Sequence, residues 1–311
     1  MDDSIYWAHL TAVEGMGAAT FEALIKRFGS IQRAMAASID QLKEIPSLDE
    51  RTAEAIRHAH LTLDATREKI EELESKGMRV LTSLDNAYPA RLRQAANPPP
   101  VIFQAGKWEA QDNLAVAIIG SRECSAVSAK RAREYARFLA ERGLTIVSGY
   151  ADGVDINAHR GALEAGGRTI IIPGCGADHF DFGPLSDVGV ASFLELGVRG
   201  VWLSEQPPEA DWSGQGSLAR NRLVAALAQA VLVIEAALNS STLDTVARAR
   251  NLKRPLFAQS YSTISPPVMG NEQLIKEGAQ AIGTKAELDQ IVELVKGKQG
   301  KGKKKPEDPR R

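Results

Sequence analysis

Three short segments bring together side chains suited to holding an anion. Gly120-Ser121-Arg122 joins a residue without a side chain, a hydroxyl and a guanidinium. Backbone can approach a phosphate closely there while Arg122 grips it bidentately. Arg220-Asn221-Arg222 sets two guanidiniums around an amide, which serves phosphate and base edges or else covers a solvated helix face. Asn239-Ser240-Ser241-Thr242 puts small amide and hydroxyl groups at a helix start, where they suit an anion and equally suit simple N-capping. The loop at Gly120 is not G-x-G-x-x-G, so a dinucleotide fingerprint is absent.

A fourth segment carries groups that move protons. Asp155 and His159 are four residues apart and so share one face of a helix that begins after Ser148-Gly149-Tyr150-Ala151-Asp152-Gly153. A catalytic reading is a general-acid pair or a Ser148–His159–Asp155 relay. The structural reading is a histidine fixed by its own helix near the glycines. The second is preferred, because a relay needs a nucleophile elbow and an oxyanion hole, and Ser148 lacks the G-x-S-x-G context. The alternative for Arg122 is a salt bridge to Glu205 or Glu235 on neighbouring strands, a pair that would also sit at the ligand face, so the two readings are not exclusive. His9, His58, His60 and His179 give no metal-ligand spacing with His159, and the two cysteines, Cys124 and Cys175, are far apart. Neither a metal nor a cofactor is expected.

These segments need elements to position them. From Leu114 the chain alternates apolar strands, glycine loops and helices. The strands read as 115–119, 144–147, 169–172, 201–203, 231–234 and 255–258; the helices as 127–142, from 154, 217–229 and 241–251. Continuously apolar strands between helices mean a mainly parallel sheet covered on both faces, and ligands bind such a sheet beyond the carboxyl ends of its strands. The expected fold is α/β, an extended Rossmann-like doubly wound sheet. Thr284 and Glu287 form a capping box for a last helix ending near Val295.

Residues 1–76 read as a small all-helical domain of two helix–turn–helix copies, like tandem helix-hairpin-helix or SAM-like domains. Phe21, Leu24, Ile25 and Phe28 recur at helical spacing, Gly29 suits a C-cap and Ser30 a new start. The Gly15-Met16-Gly17 turn of the first copy is expected to expose N–H groups to a phosphate; otherwise this is a small interaction domain. Residues 77–110 form a linker and leading strand containing a proline-rich passage, residues 111–295 the core, and residues 296–311 a disordered basic tail.

The chain has 311 residues, 44% hydrophobic and 25% charged, enough for about two domains and not for wholesale disorder. Its net charge of −1 conceals a tail of +6 and a remainder of −7. Such a core is no generic nucleic-acid binder. Binding a single strand would require Arg and Lys gathered in one groove with aromatics for stacking, and Lys130, Arg131, Arg133, Arg199, Arg220 and Arg222 are candidates to join Arg122. No signal peptide or membrane span is legible, so a cytoplasmic protein is expected.

At this point the residues resemble a known family. Gly120-Ser121-Arg122 is followed by a run from Ser148 through Gly153, Asp155 and His159 to Leu163. This run is similar to the S-G-x-A-x-G-I-D-x-x-A-H-x-G-A-L pattern of the DNA-processing protein A family (DprA, also Smf). Ser204-Glu205, Arg220-Asn221-Arg222, Val233 to Ala236, Ser240 to Thr245 and Gly270 to Ala279 match in order, as do Tyr88 to Leu92 and Pro98 to Phe103 upstream. The resemblance spans roughly residues 8–290. It implies a homodimeric protein that binds single-stranded DNA, protects it during natural transformation, helps load a RecA-type recombinase and is not an enzyme. By position it implies that Gly120, Ser121, Arg122, Arg220, Asn221 and Arg222 hold phosphate. Ser148, Gly149, Gly153, Asp155, His159, Glu205, Glu235, Ser240, Ser241 and Thr242 would line the pocket.

The sequence departs from the family at Ser240–Thr245, where a glycine is lost, at Gln259-Ser260-Tyr261 and at Phe180-Asp181-Phe182-Gly183-Pro184. Where many members carry a winged-helix domain, this sequence has the basic tail. Two other readings stay open: a nucleotide-binding or phosphoribohydrolase-like Rossmann protein, and an assembly protein whose DNA binding has decayed.

Overall fold

The computed structural model of the chain describes residues 3–300 except 47, 94 and 96, with no side-chain account of 298–300. Two compact units emerge, Met1–Trp108 with Ile171–Ala226, and Glu109–Ile170 with Leu227–Arg311. The strands follow the order β1-β2-β6-β5-β4-β3-β7-β8-β9 in one mixed, mostly parallel sheet.

The first unit begins with six helices, α1 Ser4–Leu10, α2 Ala18–Phe28, α3 Ile31–Ala36, α4 Ile39–Lys43, α5 Glu50–His58 and α6 Leu63–Ser75. The expected punctuation is present: Gly29 is a left-handed C-cap, and the Ser30 hydroxyl accepts the Arg33 N–H. Leu24 and Ile56 are fully buried, and Trp7 stacks on Phe21 with ring centroids 4.8 Å apart. One expectation fails here. The N–H groups of Met16 and Gly17 donate inside the turn, to Val13 O at 3.2 Å and Gly15 O at 3.1 Å, so the Gly-x-Gly turn does not present them to a phosphate.

β1 (Met78–Thr82) and β2 (Val101–Ala105) pair antiparallel, Met78 opposite Ala105 and Thr82 opposite Val101. The proline passage, with the single turn α7 (Ala90–Arg93), is thus the connection of a hairpin. The buried Tyr88 ties it down by donating its hydroxyl to Pro99 O at 2.8 Å.

The second unit holds β3 (Ala115–Ile119), α8 (Ala126–Glu141), β4 (Thr145–Ser148) and α9 (Val154–Glu164). β5 (Thr169–Ile171) closes this stretch of chain at the unit boundary. In the first unit follow α10 (Phe193–Arg199) and β6 (Gly200–Ser204), the latter antiparallel to β2, and α11 (Gly214–Leu227) leads back. The second unit ends with β7 (Ala230–Val233), α12 (Thr242–Asn251), β8 (Leu256–Gln259), α13 (Met269–Lys276), β9 (Gln280–Ile282) and α14 (Asp289–Gly300).

Within it β4-β3-β7-β8-β9 is a continuous parallel ladder, with Val116 opposite Ala230 and Ile119 opposite Val233. Its apolar faces form one core with Ile118, Leu139, Ile146, Leu232 and Ile291. β9 is a strand that the sequence reading lacked, because only one of its three residues is buried. Thr284 and Glu287 do make the capping box, but it opens a short 3-10 turn before α14, which runs to Gly300 rather than ending near Val295. The tail from 301 lies outside the described residues.

The Phe180–Pro184 departure is a packing feature of the first unit. Phe180 lies 4.8 Å from Phe182 and 5.8 Å from Trp202, and Phe193 5.2 Å from Trp202, mostly edge-on, the geometry aromatic quadrupoles prefer.

Candidate functional site

β3 lies between β4 and β7. The chain leaves β3 toward β4 on one side and returns to β7 on the other, so the loops after β3 and β7 diverge there. Pairing first continues past the strands: Ile234 N donates to Ile119 O at 3.0 Å, and Ser121 N to Glu235 O at 2.8 Å. Then the two chains part.

Two glycines let this loop fit. A Cβ on Gly120 would lie 2.6 Å from Val154 Cγ2 and 3.0 Å from Glu235 O. Gly153, with φ +77° and ψ −117°, caps α9 in a conformation that side chains disfavour. A Cβ there would lie 2.4 Å from both Ser121 O and Arg122 O. Gly153→Ala is therefore expected to cost about 1–3 kcal/mol of stability from backbone strain alone, and to displace the Ser121-Arg122 backbone. Urea unfolding together with a binding titration checks both effects.

The Arg122 side chain is exposed and makes no ion pair among the described residues. The two carboxylates weighed as alternative partners of Arg122 have other partners. Glu235 is buried and accepts from Ser125, from its N–H at 3.2 and 3.3 Å and from its hydroxyl at 2.9 Å. Glu205 forms a two-bond ion pair with Arg222.

The neighbouring cations are also taken up. Arg133 pairs with Glu164, Lys130 lies 3.8 Å from Glu134, and Arg131 sits over the Tyr261 ring at 5.0 Å. In the first unit Arg199 donates to Val188 O at 2.6 Å.

Ser148, Asp155 and His159 do not form a relay. The Ser148 hydroxyl donates to Ile118 O at 2.6 Å. His159 Nδ1 lies 2.7 Å from Thr169 Oγ1, whose hydroxyl donates to Ile146 O at 3.0 Å, so the imidazole N–H donates to the threonine. Asp155 Oδ2 accepts from Gly149 N at 3.2 Å and Ala151 N at 3.4 Å. It thereby spans Tyr150, whose φ of +64° is left-handed, a strained conformation for a residue with a side chain. The carboxylate holds a loop in shape.

Ser240 and Thr242 bond to each other at the start of α12. The Ser240 hydroxyl donates to Thr242 Oγ1 at 3.0 Å and accepts the Thr242 N–H at 3.2 Å, and Ser241 makes no side-chain cap.

In the first unit Arg220 and Asn221 are 5% and 7% exposed, so α11 does not offer them on a solvated face. Besides Glu205, the Arg222 guanidinium donates to Ala219 O at 2.8 Å and Asn97 O at 3.3 Å. The pair sits beside Tyr88, whose ionisation is pushed upward by burial first and then by the Glu205 charge.

Three residues of the site were missed by sequence reasoning. Ser125 is the N-cap of α8, accepting the Ser128 N–H at 3.2 Å, and Ser128 and Tyr261 share a 2.7 Å hydrogen bond. The legible signal was a serine just before an apolar-periodic segment, an N-cap pattern. A cavity of about 480 Å³ opens here, lined by residues that follow β3, β7 and β8. Burial raises the pKa of its Tyr261. At Cys124 burial and then the Glu235 charge do the same, leaving that thiol protonated and a poor nucleophile. No group of side chains among the described residues has the composition of a metal site, and none of the described helices is long and apolar enough to cross a membrane.

Comparison with known proteins agrees with this layout. Residues 79–296 match the model of the family described as DNA recombination-mediator protein A, and residues 8–59 that of the SAM-like helix-hairpin-helix tandem. The chain is 30% identical over 290 residues to Protein Smf of Synechocystis, covering 92% of this chain and 72% of that protein. It is 32% identical over 302 residues to a putative DNA processing protein DprA of Mycobacterium tuberculosis, covering 93% and 74%. The X-ray structure of DNA processing protein A from Streptococcus pneumoniae superposes with a TM-score of 0.73 at 26% identity, covering 93% of this chain and 98% of that one. A Helicobacter pylori DNA processing protein A structure, described for its single-stranded DNA binding mode, gives 0.59 at 32% identity, covering 71% and 96%. With the Gly-Ser-Arg loop at its switch point and a helix-hairpin-helix tandem ahead of its sheet, this chain belongs to the DNA recombination-mediator protein A family, the DprA/Smf proteins.

Proposed function

We propose that this protein binds single-stranded DNA through the Gly120-Ser121-Arg122 loop and acts, without catalysis, as a mediator of recombination in natural transformation or related DNA processing. It works in the cytoplasm as a homodimer and helps load a RecA-type recombinase onto the strand. The observation that carries the reading is Arg122, an exposed guanidinium without an ion pair among the described residues, on a loop at the sheet's switch point. An exposed cation there meets a phosphate with little desolvation to repay. The Helicobacter pylori relative, described as binding single-stranded DNA, supports the same ligand.

The hydrogen bonding of Ser148, Asp155 and Glu235 supports a non-catalytic role, since each holds backbone or a cap. In the second unit Gly120, Ser121 and Arg122 touch the strand, while Gly153 and Asp155 shape the loop. The partnerships of Arg222 with Glu205, and of Ser240 with Thr242, give those residues positioning roles.

The test is a fluorescence binding titration of single-stranded against duplex DNA at two salt concentrations. Single strands are expected to bind more tightly, with affinity falling as salt rises. Equal or absent binding of both, or release of a free base from nucleoside monophosphates, would replace this reading with that of a nucleotide-handling protein.

A further inference from the structure

A second cavity, of about 230 Å³, lies within the first unit, between α1 and α6 on one side and β2 with the turn after β6 on the other. None of the residues assigned to strand binding lines it. Its walls are apolar where they are deepest: Ala8, Ile70 and Phe103 are at most 7% exposed, and Pro208 is buried.

The polar side chains of the wall are taken up by the protein itself, with one exception. Ala59 O can only accept, so His9 Nε2, 2.6 Å away, carries the imidazole proton, and Nδ1 accepts the Thr66 hydroxyl at 2.6 Å. The Thr62 hydroxyl donates to Ala59 O at 3.4 Å. Lys69 donates to Glu72 at 2.7 Å and reaches Asp178 at 2.9 Å, so two carboxylates balance its charge. Glu209 is the exception, exposed and with neither hydrogen bond nor ion pair among the described residues.

We propose that this cavity binds a small aliphatic amine, with the ammonium at the Glu209 carboxylate and the carbon chain along Ile70, Phe103 and Pro208. Apolar walls with one open polar group are the composition of a small-molecule site. An alkylammonium suits them, because it buries its stem and keeps its charged head near water. At about 30 Å³ for each water-sized group, the space holds about eight heavy atoms, which an amine of five or six carbons fills. Anions meet the Glu209 charge, and Lys69 offers them little because Glu72 and Asp178 already balance it. A neutral alcohol keeps the apolar contact and forgoes the ion pair. The head group belongs either to a free amine or to a lysine side chain of another polypeptide.

The test is an amide chemical-shift titration of the full chain with three probes of equal carbon number: pentylamine, pentanol and pentanoate. Pentylamine is expected to bind about fivefold more tightly than pentanol, the worth of an ion pair at an exposed carboxylate, and pentanoate not to bind. Glu209→Gln should lower the affinity for pentylamine to that for pentanol and leave pentanol unchanged. Ala65→Trp, at an exposed position of α6 that lines the cavity, should fill it and abolish binding of both, with an unchanged thermal midpoint showing that the fold persists. A fourth probe, Nα-acetyl-lysine methylamide, separates the sources: binding equal to that of pentylamine assigns a lysine side chain, and rejection assigns a free amine.

Pentylamine binding no more tightly than pentanol, a preference that survives Glu209→Gln, or binding that survives Ala65→Trp overturns the site. Arg122→Ala should leave amine binding unchanged, so this site and the strand-binding reading stand or fall separately.

Discussion

Arg122→Ala is expected to lower affinity for single-stranded DNA about tenfold to a hundredfold, the worth of charge-assisted hydrogen bonds at about 1.5–3 kcal/mol. The loss should be the same for every sequence tested, because a phosphate contact carries no base information. The slope of log affinity against log salt should fall by about 0.7, one contact's share on a single strand. Arg122 is exposed and without an ion pair among the described residues, so the thermal midpoint should not move. That separates lost binding from lost folding. Arg122→Lys should recover only part of the affinity, since an ammonium keeps the charge but not the planar two-point grip. Wild-type affinity in the alanine variant would remove this loop from the interface.

Asp112→Ala is expected to be the most damaging single substitution for stability. The carboxylate is fully buried and accepts from Arg168 Nε at 3.0 Å and Nη2 at 2.9 Å, from Thr145 Oγ1 at 3.1 Å and from Glu109 N at 2.8 Å. The Arg168 side chain is itself 8% exposed. Removing one member of such a buried pair strands the other charge, at about 3–5 kcal/mol. For units of this size that is about 6–20 °C in the thermal midpoint. Glu109 also contacts Arg168, at 2.7 Å, but its side chain is 55% exposed and offers a weaker counter-charge. The double variant Asp112→Leu with Arg168→Met should recover most of the loss, because apolar groups of similar size replace a buried pair at little net cost. Calorimetry on the two variants checks the contrast. A single variant as stable as the double would mean that Arg168 finds another partner when Asp112 is gone.

Much of the architecture was legible along the chain because it is a matter of local periodicity. Apolar runs such as 115–119 and 231–234, short and bounded by turn residues, read as strands covered on both faces, and the helical spacing at Phe21, Leu24 and Phe28 needs no tertiary information. β9 escaped because a short edge strand with two exposed residues carries no apolar run. The site was legible as types and not as partners. That Arg122 follows a strand could be read; that Glu235 would take Ser125 and Glu205 would take Arg222 could not. Those choices depend on which of several chemically equivalent carboxylates lies within hydrogen-bond reach.

Local residue order by itself determined most of the strands and helices of the core, and that a guanidinium follows its first strand, since these depend on neighbours a few residues away. Only the folded chain decided that Arg122 keeps its charge open to solvent and that Glu235, buried at the wall of a cavity, meets no cation among the described residues. The physical reason is that charge pairing and burial act through space, over a few ångströms, between groups as far apart in the chain as Ser125 and Glu235.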